Sequence, residues 1–179
     1  MKTSCKHRLL TALAVSFAAA APPAFAQNVD WTPFASREFR FSVSFCGAPT
    51  KDEPSTDSKG EITATLNLFK AVSENYMCFV ALADYNITPD AEQELKLNQT
   101  NFINAIKGTL GTSRRMDFMN RGEKLPALTF TYEMAPNLVG KAIVILRGKR
   151  VFMLVFQYNR DQDYAAAVQK FLDSFRIAN

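Results

Sequence analysis

The sequence predicts an α+β domain: an antiparallel β-sheet of about six or seven strands flanked by two main α-helices. Three observations carry that expectation. Segments of two-residue apolar alternation recur along the chain. Apolar stripes of helical period occur twice, after residue 90 and after residue 163. Strands otherwise follow strands, without the strand-helix-strand alternation that builds a parallel sheet.

Residues 1–26 have the make-up of a secretory signal peptide. Lys2, Lys6 and Arg8 form a basic start, Leu9 to Ala21 is an apolar run, and Ala24-Phe25-Ala26 is a small-x-small exit. The run is too short to span a bilayer and ends at Pro22-Pro23, so cleavage after Ala26 should release the remainder with no stable membrane insertion. The basic start and Ala-rich core predict a bacterial periplasm, with residues 27–179 as one soluble domain.

Setting that leader aside changes the charge and the chemistry. It holds three of the 21 Lys and Arg residues and none of the 17 acids, which leaves 18 cations against 17 anions. A nearly neutral chain has no long-range field to draw it onto nucleic acid or an anionic membrane. The leader also holds the only histidine, His7, so Ser-His-Asp and Cys-His catalysis are excluded and the commonest transition-metal ligand is missing. Two cysteines remain, Cys46 and Cys78. An even number in an oxidising compartment predicts a disulfide, with two buried thiols as the alternative.

Along the chain, Trp31 to Phe34 gives an aromatic pair around Pro33 that should pin the start of the domain to its body. Phe39, Phe41, Val43 and Phe45 alternate with polar residues and predict a strand over 39–45. Gly47, Pro49 and the polar run Thr50 to Gly60 predict a long mobile loop. Strands follow at 62–71 and 76–85, joined by a hairpin over 72–75; both faces of the second are apolar, which places it inside the sheet. Thr88-Pro89-Asp90 predicts a helix start with Thr88 as the hydroxyl cap. Its stripe is Ala91, Leu95, Phe102, Ile106 and Leu110, and Glu92, Glu94, Lys96, Asn98 and Lys107 form its solvated face.

Strands are expected again at 114–119 and 127–134, around a turn at 120–124. From Lys141 two apolar strands cross a Gly148-Lys149 turn of type II′ character. A last helix, capped by Asp161, presents Tyr164, Val168, Phe171, Leu172 and Phe175 to the core.

Two phrases in this order resemble a known family. Phe41-Ser-Val-Ser-Phe-Cys-Gly-Ala-Pro49 resembles the FxVxFPGxP opening of secreted bacterial domains related to the PsbP-like fold, and Phe171-Leu-Asp-Ser-Phe-Arg176 resembles their FLxSF ending. The superfamily takes its name from an extrinsic photosystem II protein and includes a Ran-binding nuclear import factor. The resemblance implies an antiparallel sheet between helices and a mostly non-catalytic binding or assembly role. Cys46 departs from the pattern, which has proline there, a substitution that makes sense if position 46 is bridged to Cys78. The matching positions are structural, so no functional residue is carried across.

No catalytic residue, cofactor or metal site emerges from the motifs. There is no S-x-x-K spacing after residue 26, no Walker or EF-hand loop and no G-x-G-x-x-G. The carboxylate pairs Glu92 with Glu94 and Asp161 with Asp163 fall in the expected first turns of helices, where the dipole favours acids. Two basic groups stand out: Arg147, Lys149 and Arg150 around the last hairpin turn, and Arg114 with Arg115 at the start of a strand. They could contact an anion or a periplasmic protein partner, or simply decorate a hairpin tip and a sheet edge. On the first reading, reversing Arg147 and Arg150 to Glu abolishes partner capture without lowering the melting temperature. The expected function is a non-catalytic binding or assembly accessory acting through a sheet face or the Thr50 to Gly60 loop. The alternatives are a histidine-free enzyme with a carboxylate site, or a carrier of a small apolar ligand.

Overall fold

The computed structural model describes residues 28–178, so the signal-peptide reading of residues 1–26 lies outside the described residues. The elements run β1 (Thr32–Ser36), β2 (Phe41–Phe45), β3 (Thr50–Lys51), β4 (Ser55–Lys59), β5 (Ile62–Val72), β6 (Tyr76–Tyr85), α1 (Ala91–Ala105), β7 (Thr109–Asn120), β8 (Glu123–Met134), β9 (Leu138–Arg147), β10 (Arg150–Asn159), α2 (Ala165–Ser174) and β11 (Arg176–Ile177).

The strands form two antiparallel sheets. The large one has eight strands, ordered β3-β5-β6-β10-β9-β8-β7 with β4 also paired to β5, and the small one is β1-β2-β11. The large sheet is thus bigger than the six or seven strands predicted, and the α+β class holds.

Apolar alternation decides which layer each face meets. On β6, Cys78, Val80 and Leu82 face one way and Phe79, Ala81 and Ala83 the other; on β10, Phe152, Leu154 and Phe156 oppose Val151, Met153 and Val155. The first set packs on α2 and the small sheet, and the second packs on α1. Both central strands are therefore covered on both faces, as two-sided apolar runs require. Phe41 sits at the junction of the sheets, its ring 5.5 Å from Phe69 and 5.8 Å from Phe175. Cys46, just beyond β2, is joined by a disulfide to Cys78 on β6, their Cα atoms 6.0 Å apart, so the bridge ties the small sheet to the large one.

Several local expectations are corrected. The 50–60 segment is not a loop but holds β3 and β4, which pair with β5 from Thr50↔Lys70 through Lys59↔Ile62. These polar strands carry no periodic signal because little of them is buried. The helix cap is Asp90, not Thr88: its carboxylate accepts from the Gln93 amide at 2.9 Å. Leu110 lies on β7, not on the helix, and is exposed, since α1 ends at Ala105. There is no room for a Cβ at Gly108, which would stand 2.9 Å from the Glu133 carbonyl. Asp161 is not the cap of α2; it pairs with the Asn137 side chain, and Asp163 accepts from the Ala165 amide at 3.0 Å. Asp161 and Asp163 accordingly precede the helix. Arg40 leaves the expected strand, with φ 54° in the β1–β2 turn.

The last hairpin is as expected: of the Gly148-Lys149 pair only Gly148 takes a left-handed φ, 59°. The five stripe residues of the final helix are all buried. Among the described residues no helix is long and apolar enough to cross a membrane.

Candidate functional site

The three hairpin turns β1–β2, β7–β8 and β9–β10 lie at one end of the molecule, beside β11. Two contacts fix this: Arg147 of β9 meets Glu123 of β8 at 3.1 Å, and the Ala178 amide donates to the Arg40 carbonyl at 2.8 Å.

The residues singled out around the last turn serve largely as anchors here. Arg150 makes a two-pronged pair with Asp84, Nε to Oδ1 at 2.5 Å and Nη2 to Oδ2 at 2.9 Å, while its Nη1 donates to the Phe39 carbonyl at 2.8 Å. Arg147 reaches the Ala178 carbonyl at 3.0 Å as well as Glu123. The Lys149 ammonium donates to the Asn86 carbonyl at 2.7 Å. Arg114 and Arg115 are not brought to this end. Arg115 pairs with Glu92 of α1 at 2.9 Å, and both arginines line a small cleft of about 180 Å³ on the α1 side of the sheet.

Four arginines that sequence reading passed over form the more open site. Arg37 and Arg40 lie in or beside the β1–β2 turn, Arg121 in the β7–β8 turn and Arg176 on β11, and together they line a groove of about 450 Å³ that no carboxylate lines. All four are exposed, and none is ion-paired among the described residues. Arg176 does donate to the Asp173 and Phe175 carbonyls at 2.5 and 2.6 Å, which holds its guanidinium across the end of α2. A second cleft of about 330 Å³ adjoins the first. It shares Arg40 and Ala178 with it and is lined by Arg147, Lys149 and Arg150, with Asp84 as its one acid. Arg40 and Arg121 both hold left-handed backbone, φ 54° and 50°, a conformation that costs a residue with a Cβ about 1 kcal/mol. The signal available in sequence is weak: arginines from two separate turns and from β11, gathered only by the topology.

The carboxylates weighed for catalysis part company. Glu92 is engaged by Arg115, whereas Glu94, expected on a solvated face, is buried, accepting from the Tyr85 hydroxyl and from Asn98 Nδ2, each at 2.5 Å. Burial first, and the Glu94 carboxylate second, push the Tyr85 phenol well above its ordinary value. Among the described residues no group of three or more His, Cys, Asp or Glu side chains could hold a metal ion.

No protein-family model and no curated protein matches the sequence. The solution structure of cyanobacterial PsbP (CyanoP) from Synechocystis sp. PCC 6803 superposes with a TM-score of 0.55 at 10% identity, covering 88% of this chain and 98% of that one. At that identity the likeness speaks for the fold. The chain has a PsbP-like fold, as its two terminal phrases imply.

Proposed function

We propose that this chain is a non-catalytic binding or assembly accessory of the periplasm, and that it meets an acidic partner through the end where its hairpin turns converge. The observation that carries this reading is the groove of Arg37, Arg40, Arg121 and Arg176, exposed guanidiniums gathered from two turns and β11 with no acid among the lining residues. Residues 27–179, with 18 cations against 17 anions, concentrate cations at one end and so have a local field there, suited to orienting an acidic surface rather than to general adhesion.

Crosslinking and affinity capture from a periplasmic extract test the reading. Wild-type protein should retain a partner that the triple variant Arg37→Glu, Arg121→Glu, Arg176→Glu releases. A protein that runs alone under every condition would remove the accessory role.

A carrier role has one observation in its favour, a groove of about 380 Å³ whose lining includes the exposed Ile62, Ile87 and Leu97. Native mass spectrometry of protein purified from its own periplasm separates the two, since a carrier should emerge with a small apolar molecule bound.

A further inference from the structure

The groove and the cleft at the hairpin end share Arg40 and Ala178, so the cations lining them, from Arg121 and Arg176 to Lys149, belong to adjoining depressions whose one acid is Asp84. We infer that the two together form one site for an extended, carboxylate-rich segment of a partner protein; this rests on the accessory reading and specifies its ligand.

Three features select that occupant. Guanidinium forks match carboxylates two bonds at a time, and four exposed ones lining one groove, with Arg40 shared by the cleft beside it, call for several anionic groups on one backbone rather than a single small anion. Serine hydroxyls at Ser36 and Ser42 line the groove and add neutral donors between the charges. The surroundings also argue against other polyanions. Phe41 and Phe152, the aromatic residues that line the site, are 2% and 1% exposed, which leaves no platform for stacking bases. The large apolar side chains that are exposed, Ile62, Leu66, Val72, Ile87, Leu97, Leu110 and Met119, line neither depression, so lipid acyl chains have nothing to meet there.

The geometry also divides the labour among the cations. Arg147 and Arg150 are held by Glu123 and Asp84 and shape the wall. Arg37 and Arg121 have no such partner among the described residues and face the ligand.

The test is a fluorescence-anisotropy titration of a labelled hexaglutamate peptide with the full chain at low salt. The double variant Arg37→Gln, Arg121→Gln is compared with Lys96→Gln, Lys107→Gln, which removes equal charge around α1. The groove variant should bind about tenfold or more weakly, the loss expected for two charge-assisted contacts, with its melting temperature unchanged and the α1 variant binding as wild type. Equal weakening in both variants, or none in the groove variant, overturns the site. So does co-sedimentation with phosphatidylglycerol vesicles, or capture of oligothymidylate, that depends on Arg37 and Arg121 when the peptide does not bind. If the peptide binds through the groove while no partner is captured from the periplasm, the accessory reading fails and the site stands. If a partner is captured equally well by the groove variant, the site fails and the accessory reading stands.

Discussion

The side-chain amide of Asn120 closes a matched pair of hydrogen bonds with the backbone of Ile177, its Oδ1 accepting from the Ile177 amide at 3.0 Å and its Nδ2 donating to the Ile177 carbonyl at 3.1 Å. Asn120 thus acts as one more strand residue and clips β11 to the end of the large sheet. Both residues are buried, so water cannot replace the bonds. Asn120→Ala should cost about 2 to 3 kcal/mol, since it strands a buried donor and a buried acceptor. Urea unfolding would show a lower midpoint at unchanged slope.

Arg147 and Arg150 carry a revised expectation. Their guanidiniums hold Asp84, Glu123 and two carbonyls in place, so reversing both to Glu should lower the melting temperature as well as alter the surface. For Arg150→Met alone a loss of about 1 to 2 kcal/mol is expected, because the Asp84 pair is only partly screened by solvent and the Phe39 carbonyl loses its donor. Differential scanning calorimetry beside Arg37→Gln, which should melt as wild type, separates an anchor from a contact residue.

The Cys46–Cys78 bridge closes a span of 32 residues. The chain-entropy argument gives it about 3 to 4 kcal/mol. Reductant should lower the melting temperature of wild type, and the Cys46→Ala, Cys78→Ala variant should show no response to reductant at all.

Gly140 is required by a neighbour rather than by its own backbone. It lies opposite Tyr132 in the β8–β9 ladder, and a Cβ there would stand 2.4 Å from the ring. Gly140→Ala should cost about 1 to 3 kcal/mol through overpacking. Chemical unfolding of Gly140→Ala with and without Tyr132→Ala checks the cause, since removing the ring should relieve the penalty.

Burial also raises the Tyr132 phenol, and burial with the Glu94 carboxylate raises Tyr85. The folded chain therefore holds both protons more tightly than the unfolded chain. Their contribution is present in full below the ordinary tyrosine value of about 10 and is lost as pH climbs beyond it toward the folded values. Unfolding free energy followed into alkali should fall above that point, and Tyr85→Phe with Tyr132→Phe should flatten the decline.

What could be read in the sequence follows from how strongly burial writes itself into residue choice. Val80 and Leu154 lie on strands covered on both faces, and Phe171, Leu172 and Phe175 on a helix with one buried stripe, so those elements were legible with their surroundings. Ser55 to Lys59 forms a strand through backbone pairing with β5, and its polar side chains leave no periodic trace. Leu110 continues the spacing of the helical stripe in sequence, although the lack of room for a Cβ at Gly108 marks the break. At the hairpin end the cations that sit close together in sequence, Arg147, Lys149 and Arg150, stand out, and these are the anchored ones. Arg37 and Arg40 lie far along the chain from Arg121 and Arg176, and only the meeting of two turns and β11 makes them neighbours.

The place of β10 has a consequence for how the chain assembles. It lies between β6 and β9, with Leu154 opposite Val80 on one side and Ile143 on the other, although β6 precedes it by far in sequence. Until β10 arrives, β6 and β9 each present an open edge, and the two halves of the large sheet have no ladder between them. Acquisition of native structure should therefore be governed by a late, high-contact-order docking step, slow relative to hairpin formation. Until that step is complete, the edges of β6 and β9 are open to pairing with strands of other chains, which makes this the point at which association competes with folding.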